Sequence, residues 1–168
     1  MNMSLRIGIL TVSDRSSRGE RPDASGPVLE KEVINLGWRI TSTGIVPDEY
    51  DVLVNLLTRW ADSGDFDVIL STGGTGFGPR DVTPEATLAV IQRSAPGIAE
   101  AMRAESLKIT PHAMLSRGVA GIRGQTLLVN LPGSPKAALE NFQVIQSVLS
   151  HAVQHLCSDD RAEASHRF

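Results

Sequence analysis

The chain has 168 residues, of which 41% are hydrophobic and 21% charged, an ordinary composition for one globular domain with its own core. Its net charge of −3 argues against a dedicated nucleic-acid partner, because phosphate contacts along a nucleic acid need a strong local excess of lysine and arginine. Cys157 is the only cysteine, which excludes an internal disulfide and a cysteine-based metal site. No stretch approaches the roughly 20 apolar residues of a membrane span, so we expect a cytoplasmic protein without a membrane partner.

Short apolar runs alternate with amphipathic segments in the first third of the chain. Arg6–Ser13 is apolar almost throughout, which is typical of a strand buried on both faces. Gly26–Leu36 has its leucine and valine side chains on one helical face and is stopped by a glycine. Trp38–Val46 alternates loosely and predicts a second strand. Pro47-Asp48-Glu49 then opens another helix, whose apolar stripe continues until Gly64 ends it.

The same alternation continues to the end of the chain. Asp67–Ser71 predicts a third strand. Thr83-Pro84 fits an N-cap followed by a first-turn proline, so Glu85–Arg93 is expected to be helical. We expect an antiparallel strand in or near the irregular segment 111–124. The later predicted elements are a helix at Gly97–Leu107, a strand at Thr126–Leu131 and a long helix after Pro135, apolar on one side as far as Leu156.

The alternation of strands and helices predicts an α/β fold in which helices cover both faces of one mostly parallel sheet. The chain shows neither an internal repeat nor a linker. We therefore expect residues 1–157 to form a single domain, and the polar segment 158–168 to be a tail that frays.

Four unusual loops each directly follow a predicted strand. In a parallel sheet such loops emerge at the same edge, where the carboxyl ends of the strands lie and where open α/β sheets bind ligands. The sequence therefore predicts one ligand site assembled from distant segments. The loops are Ser13-Asp14-Arg15 onward, Pro47-Asp48-Glu49, Gly73–Thr83 and Pro132–Pro135.

The loop Gly73–Asp81 contains the most specific stretch, Gly-Gly-Thr-Gly-Phe-Gly-Pro-Arg-Asp. Closely spaced glycines let a backbone turn with positive φ and present N–H groups to an anion. Pro79-Arg80 stands where a Walker A loop has Lys-Ser/Thr, and no Gly-x-Gly-x-x-Gly register fits the Rossmann fingerprint. A flexible strand-to-helix turn is the alternative interpretation.

Asp48 and Asp81 each have a simple structural explanation, since Asp48 could cap a helix and Asp81 could stabilise a turn. Both residues should nevertheless lie at the same sheet edge, beside a loop suited to phosphates. Two carboxylates near a phosphate site are what Mg²⁺ needs, and without a cation they would repel each other. We therefore predict that Asp48 and Asp81 hold a Mg²⁺ ion.

The turn Pro132-Gly133-Ser134-Pro135 can be explained either as a simple helix start or as an anion site at the positive end of a long helix. Arginines near these loops could hold phosphate through two hydrogen bonds, and a lysine could act as a point charge. Solvated surface charge is the alternative for each. His151 and His155, an i, i+4 pair far along the chain from the loops, are better explained as surface residues. The cations near the loops are Arg15, Arg80, Arg117 and Lys136.

At these residues the sequence resembles the Mog-type proteins of molybdenum cofactor biosynthesis, the molybdopterin adenylyltransferases. The matching motifs occur in order over about residues 4–155. The pairing of Gly-Gly-Thr-Gly with Arg-Asp-Val-Thr-Pro is highly specific for the wider superfamily and less specific within it. The motifs are Ile9–Arg15, Asp23-x-Ser25-Gly26-Pro27, Pro47-Asp48-Glu49, Ser71–Gly76 with Pro79–Glu85, Leu115-Ser116-Arg117 and Asn130–Lys136.

The resemblance implies a three-layer α/β/α sandwich, commonly a homotrimer, that adenylylates molybdopterin with ATP and Mg²⁺ and releases pyrophosphate. It implies that Asp48 and Asp81 are the catalytic residues, that Ser116 contributes to pterin binding, and that a molybdenum insertase receives the product. Together with the loop argument it gives the predicted substrate-binding residues: Ser13, Asp14, Gly73, Gly74, Thr75, Gly76, Arg80, Ser116, Arg117, Pro132, Gly133, Ser134 and Lys136.

Two other functions occur among proteins that resemble this chain. A MoaB-type paralogue could bind molybdopterin without catalysis, but a pure binder would not need both Asp48 and Asp81. A cinA-like domain could hydrolyse a nucleotide pyrophosphate bond, but the short single domain and the full Pro-Asp-Glu motif favour the transferase.

Overall fold

A computed structural model describes the backbone of residues 4–165 and the side chains of residues 4–157. In this part of the chain six strands form one sheet in the order β2-β1-β3-β6-β5-β4. β2, β1, β3 and β6 are parallel, whereas β5 runs antiparallel to β6 and β4 antiparallel to β5. The mostly parallel sheet and the expected antiparallel strand are both confirmed. The strands are β1 Arg6–Val12, β2 Arg39–Val46, β3 Val68–Thr72, β4 Arg93–Ser94, β5 Ala120–Arg123 and β6 Thr126–Leu131.

Helices cover both faces of the sheet, because successive side chains of a strand point to opposite faces. In β1, Ile7 and Ile9 belong to the core on the face that α2, α5 and α6 cover, whereas Leu10 and Val12 belong to the core on the face that α3 and α4 cover. The two cores on either side of the sheet confirm the three-layer sandwich. The helices are α1 Asp14–Ser17, α2 Ser25–Asn35, α3 Tyr50–Asp62, α4 Thr83–Val90, α5 Pro96–Leu107 and α6 Pro135–Ser165, with a 3₁₀ helix at Pro111–Leu115.

The strand register brings the four predicted loops together. Val12 pairs with Val46, and Thr72 lies opposite both Thr11 in β1 and Leu131 in β6. The last residues of the four parallel strands are therefore level, and the loops that follow them leave the sheet at one edge.

Three details differ from the sequence prediction. Thr83 is not an N-cap but the first residue of α4, where it is fully buried and makes no capping bond; Val82 precedes the helix instead. The helix ends at Val90, since Arg93 pairs with Ile122 as part of β4. The last helix continues to Ser165, further than its apolar stripe predicted, and residues 166–168 of the predicted tail lie outside the described residues. Within residues 4–165, no helix is both long and apolar enough to cross a membrane.

Candidate functional site

The loops after β1, β2, β3 and β6 enclose a cavity of about 470 Å³, which we call the polar cavity. It lies at the sheet edge where the sequence predicted a ligand site. It brings together residues that are as far apart in the chain as Thr11 and Ser134. The predicted site residues that line it are Ser13, Asp14, Asp48, Gly73, Gly74, Asp81, Gly133 and Ser134.

The loop Gly73–Asp81, which we call the glycine loop, continues from Gly74 with Thr75 and Gly76. These two residues line a second cavity of about 300 Å³. Its wall is mostly apolar and comes from α5, the 3₁₀ helix and the start of α6, so we call it the apolar cavity. The predicted residues Ser116 and Pro132 also line it. The predicted site is therefore divided into two neighbouring cavities that share the glycine loop.

The predicted cations take different positions. Arg15 lines the polar cavity. Arg80 donates two hydrogen bonds of 2.9 Å to the carboxylate of Asp14, next to that cavity. Arg117 lines neither cavity and binds groups of the protein itself. Lys136 is 81% exposed, with its Nζ 3.8 Å from the carboxylate of Glu140.

Asp48 does not cap α3, because Glu49 precedes that helix and makes no capping bond. Instead the Asp48 carboxylate accepts a hydrogen bond of 2.9 Å from the main-chain N–H of Asp14. Burial raises the pKa of Asp48, and the negative charges of Asp14 and Asp81 add to the increase. A cation that binds beside such a carboxylate stabilises its ionised form, which burial and the neighbouring negative charges disfavour.

The negative charge of Asp14 is offset by a hydrogen-bonded arginine, whereas that of Asp48 is not. The guanidinium of Arg80 lowers the pKa of the Asp14 carboxyl, mainly through its hydrogen bonds. Arg80 thus offsets one negative charge at the mouth of the polar cavity and leaves the charge of Asp48 without a direct cationic partner among the hydrogen bonds described.

Asp81 has the turn-stabilising role that was considered for it, since its Oδ2 accepts a hydrogen bond of 2.9 Å from the N–H of Gly78. Asp81 also lines the polar cavity with Asp48. Among the described residues, no group of three or more histidine, cysteine, aspartate or glutamate side chains is arranged to hold a metal ion. Two carboxylates suit Mg²⁺, which commonly binds one or two carboxylates together with water and substrate phosphates.

The glycine loop needs its first two glycines. Gly73 and Gly74 have φ angles of +103° and +64°, which residues with a Cβ rarely adopt. A Cβ on Gly73 would overlap the carbonyl oxygen of Val12, and one on Gly74 would lie 2.9 Å from a carboxylate oxygen of Asp48. The backbone therefore passes close to β1 and to Asp48, which a bulkier residue would prevent.

Several residues of the polar cavity were not predicted as site residues. Asp23 accepts hydrogen bonds from the hydroxyl of Thr11 and from the main-chain N–H groups of Ser25 and Gly26. The hydroxyl of Ser25 donates a 2.7 Å bond to the carbonyl of Gly133, and so connects α2 to the turn before α6. The signal in the sequence was the motif Asp23-x-Ser25-Gly26-Pro27, which was recognised but given no role. Arg21 and Ser16 line the same cavity.

The side chain of Asn130 joins β6 to β3 and α4. Its buried amide donates 2.9 Å hydrogen bonds to the hydroxyls of Ser71 and Thr87, and it accepts one from the N–H of Val119. It also lines the apolar cavity. A polar residue in the otherwise apolar strand β6 was the signal that sequence analysis could have used.

Comparisons with known proteins show the family to which this domain belongs. Residues 8–151 match the model of the family described as probable molybdopterin binding domain. The molybdopterin adenylyltransferase of Escherichia coli is 40% identical over 90% of this chain and 79% of its own length. The molybdenum cofactor synthesis protein cinnamon of Drosophila melanogaster is 46% identical over 94% of this chain. The chain spans only about a quarter of that larger relative.

Solved structures show the same fold. The crystal structure of the molybdopterin biosynthesis enzyme MoaB from Thermus thermophilus superposes with a TM-score of 0.85, at 47% identity over 90% of this chain and 96% of that one. The family model matches residues 8–151, and the alignment with the Escherichia coli protein includes 90% of this chain. The chain therefore belongs to the probable molybdopterin binding domain family of molybdenum cofactor biosynthesis.

Proposed function

We propose that this protein transfers the AMP group of Mg-ATP to the terminal phosphate of molybdopterin and releases pyrophosphate. The observation that carries the proposal is the placement of Asp48 and Asp81 in one cavity with Gly73 and Gly74, at the carboxyl ends of the parallel strands. The molybdopterin adenylyltransferases that this chain resembles at 40% identity support the same reaction.

Two neighbouring cavities suit a reaction that joins two substrates. The polar cavity has carboxylates, hydroxyls and glycine backbone, which fit Mg²⁺ and phosphate groups. The apolar cavity fits a flat heteroaromatic ring, with Met102 and Leu115 in its wall and a few polar groups for orientation. The glycine loop lies between the two, where the phosphate groups of both substrates would have to meet.

The carboxylates of Asp48 and Asp81 are the groups that would hold Mg²⁺, since Asp48 is half-buried and has a raised pKa beside two other acidic groups. Bound Mg²⁺ would offset negative charge on the transferring phosphoryl group and on the leaving pyrophosphate. The hydroxyls of Ser13 and Ser134 and the glycine backbone would position the phosphates. Asp14 would hold the guanidinium of Arg80 beside them.

The transfer needs no strong general base, because a phosphate oxygen of the pterin is already ionised. That oxygen forms a bond to the α-phosphorus of ATP while the bond from this phosphorus to the bridging oxygen of pyrophosphate breaks. The contribution of the protein is to hold the donor and acceptor in line and to stabilise charge in the transition state. Thr75, Gly76, Ser116, Pro132, Gly133 and Lys136 are the remaining residues proposed to bind the substrates, whereas the described contacts of Arg117 are to the protein itself.

A homotrimer and delivery of the product to a molybdenum insertase are part of the proposal. The large apolar side chains of Ile109 and Met114, 63% and 67% exposed beside the apolar cavity, support burial in an assembly. Light scattering on the purified protein tests the assembly.

The reaction is tested with purified protein, molybdopterin and Mg-ATP. We expect pyrophosphate release that depends on the pterin, together with an adenylylated pterin identified by mass spectrometry. Binding of molybdopterin without product would show a non-catalytic binding protein. Release of AMP without a pterin acceptor would show a nucleotide pyrophosphohydrolase, and either result would contradict the proposal.

A further inference from the structure

Arg117 follows Ser116 at the border of the apolar cavity, but its side chain turns into the glycine loop. Its Nε donates to the carbonyl of Gly76 and its Nη2 donates to the carbonyl of Asp81, both at 2.7 Å. Its Nη1 forms an ion pair with the carboxylate of Glu85 on α4. The main-chain N–H of Arg117 also donates a 2.9 Å bond to the carbonyl of Thr75. One residue therefore holds both ends of the loop that contains Asp81.

The segment that carries Arg117 is itself fixed from the other side. Arg103 of α5 donates a 2.8 Å hydrogen bond to the carbonyl of Gly118 and a longer one to that of Ser116. Ser116 and Gly118 both line the apolar cavity. The segment 116–118 thus lies between α5 and the glycine loop. Arg103 binds it from α5, and its own Arg117 extends to the loop.

The position of Asp81 depends on the same loop. Asp81 lines the polar cavity, its carboxylate accepts from the N–H of Gly78, and its main-chain carbonyl is held by Arg117. The side chain of Arg117 is 34% exposed and lines neither the polar nor the apolar cavity, but a third one with Asp81 and Glu85. Its described contacts are all to the protein itself. A planar guanidinium can bridge two carbonyls and a carboxylate in a fixed geometry, which a lysine ammonium cannot reproduce.

We propose that Arg117 is a positioning residue that connects the wall of the apolar cavity to the carboxylate of Asp81 in the polar cavity. This inference rests on the proposed function, in which Asp81 acts at the transferring phosphate. It replaces the expectation that Arg117 binds a substrate phosphate itself. Loss of the guanidinium would release the main-chain carbonyls of Gly76 and Asp81, so that the loop could carry Asp81 away from Asp48.

The test uses the full chain with Arg117→Lys and Arg117→Met, and Arg123→Met as a matched control. Arg123 also binds one carboxylate, that of Asp62, and one main-chain carbonyl, that of Val90. It is the last residue of β5 and pairs with Thr126, the first residue of β6, at the opposite edge of the sheet from both cavities. Arg117→Lys keeps a positive charge beside Glu85 and remains informative where the methionine variant fails to fold.

Hydrogen exchange followed by mass spectrometry reports the loop directly, without turnover. We expect amide exchange in the peptide covering residues 73–85 to become about tenfold faster in both Arg117 variants and to stay unchanged in Arg123→Met. We expect kcat for pyrophosphate release to fall roughly 10- to 100-fold in the Arg117 variants, with KM for ATP within about twofold of the unmodified protein. The Mg²⁺ concentration at half-maximal rate should rise, because the displaced carboxylate is a proposed Mg²⁺ ligand.

Unchanged exchange together with a raised KM for ATP would overturn the inference and show that Arg117 contacts phosphate directly. Faster exchange with unchanged kcat would overturn the connection to Asp81. Absence of pterin-dependent turnover in the unmodified protein would contradict the proposed function alone, and the exchange of residues 73–85 would still decide whether Arg117 holds the loop.

Discussion

Asp14 and Asp48 each hold the main chain of the other. The N–H of Asp14 donates to Oδ2 of Asp48 at 2.9 Å, and the N–H of Asp48 donates to Oδ1 of Asp14 at 3.1 Å. The reciprocal bonds fix two carboxylates together at the ends of β1 and β2. The described hydrogen bonds of Arg80 go to Asp14. The negative charge of Asp48 therefore has no hydrogen-bonded cation and is the one that can attract a metal ion.

Replacing Asp48 with asparagine should abolish activity and stabilise the protein. The amide oxygen can still accept from the N–H of Asp14, but the half-buried negative charge is gone. Turnover should fall roughly 100-fold or more, because charge on the transferring phosphate loses its stabilisation. Without Mg²⁺ and ATP at pH 7, the Tm should rise, which differential scanning calorimetry measures.

The pH dependence of this gain follows from the raised pKa of Asp48. Between the ordinary pKa of 3.8 and the raised folded value, the native state binds more protons than the unfolded state. Stability of the unmodified protein therefore falls as the pH rises through that range. The gain in stability of Asp48→Asn should be complete above the raised folded pKa of Asp48 and absent below pH 3.8.

The exposed Asp62, whose pKa is lowered by Arg123, is the control, and Asp62→Asn should lower the Tm at pH 7. A lower Tm for Asp48→Asn at pH 7 would contradict the electrostatic argument.

Removal of the guanidinium in Arg80→Met should weaken ATP binding, with a rise in KM of roughly tenfold, because Asp14 then adds a second uncompensated charge to the polar cavity. The pKa of Asp14 should return toward its ordinary value of 3.8. Asp14 contributes stability above that value, and this contribution is lost as the pH falls through its lowered folded pKa. The difference in Tm between the unmodified protein and the variant should therefore be largest at neutral pH and disappear in strong acid.

Arg18→Met is the control for Arg80→Met. Arg18 forms an ion pair with Glu20 in which both side chains are about half exposed, and neither lines the polar cavity. Its loss should leave KM for ATP unchanged. Equal effects of the two variants would mean that general charge, and not the contact with Asp14, determines ATP affinity.

Periodicity and loop order were enough to predict how the main chain places Asp48 and Asp81. Level parallel strands bring their loops to one edge whatever their side chains are, so the polar cavity follows from the apolar runs alone. The pairing of Arg80 with Asp14 could not be predicted in the same way, since the two residues are 66 positions apart and a surface arginine has many possible partners. The contacts of Arg117 were equally unpredictable, because its side chain binds the glycine loop and not a neighbour in its own Leu-Ser-Arg motif. Thr83 shows that a capping pattern can be shifted by one residue when tertiary packing buries the hydroxyl.

Asn130→Ala should destabilise the protein by about 2–4 kcal/mol, because it removes the donor to two buried hydroxyls and leaves the N–H of Val119 without its partner. Urea unfolding at neutral pH measures the change. Asn55 lies exposed on α3, and Asn55→Ala should be neutral or slightly stabilising since alanine favours a helix. A loss below about 1 kcal/mol for Asn130→Ala would mean that water replaces the amide.

Gly73→Ala should damage both the fold and the polar cavity. The φ angle of +103° strains any residue with a Cβ, and that Cβ would overlap the carbonyl oxygen of Val12, which belongs to the backbone and cannot rotate away. A loss of about 2–4 kcal/mol in the free energy of unfolding is expected from strain and displacement together. Because Val12 and Gly73 both line the polar cavity, Mg-ATP binding by calorimetry should be lost as well.

Gly97→Ala is the matched substitution for this test. Gly97 lies in the first turn of α5, where an added Cβ would meet no atom within 4 Å. Alanine there should be neutral or stabilising by up to about 1 kcal/mol, with unchanged Mg-ATP affinity. If Gly73→Ala keeps both its stability and its affinity for Mg-ATP, the close passage of the glycine loop past β1 does not shape the site. If Gly73→Ala loses affinity while keeping its stability, the strain is absorbed by the loop, and the cavity geometry alone determines binding.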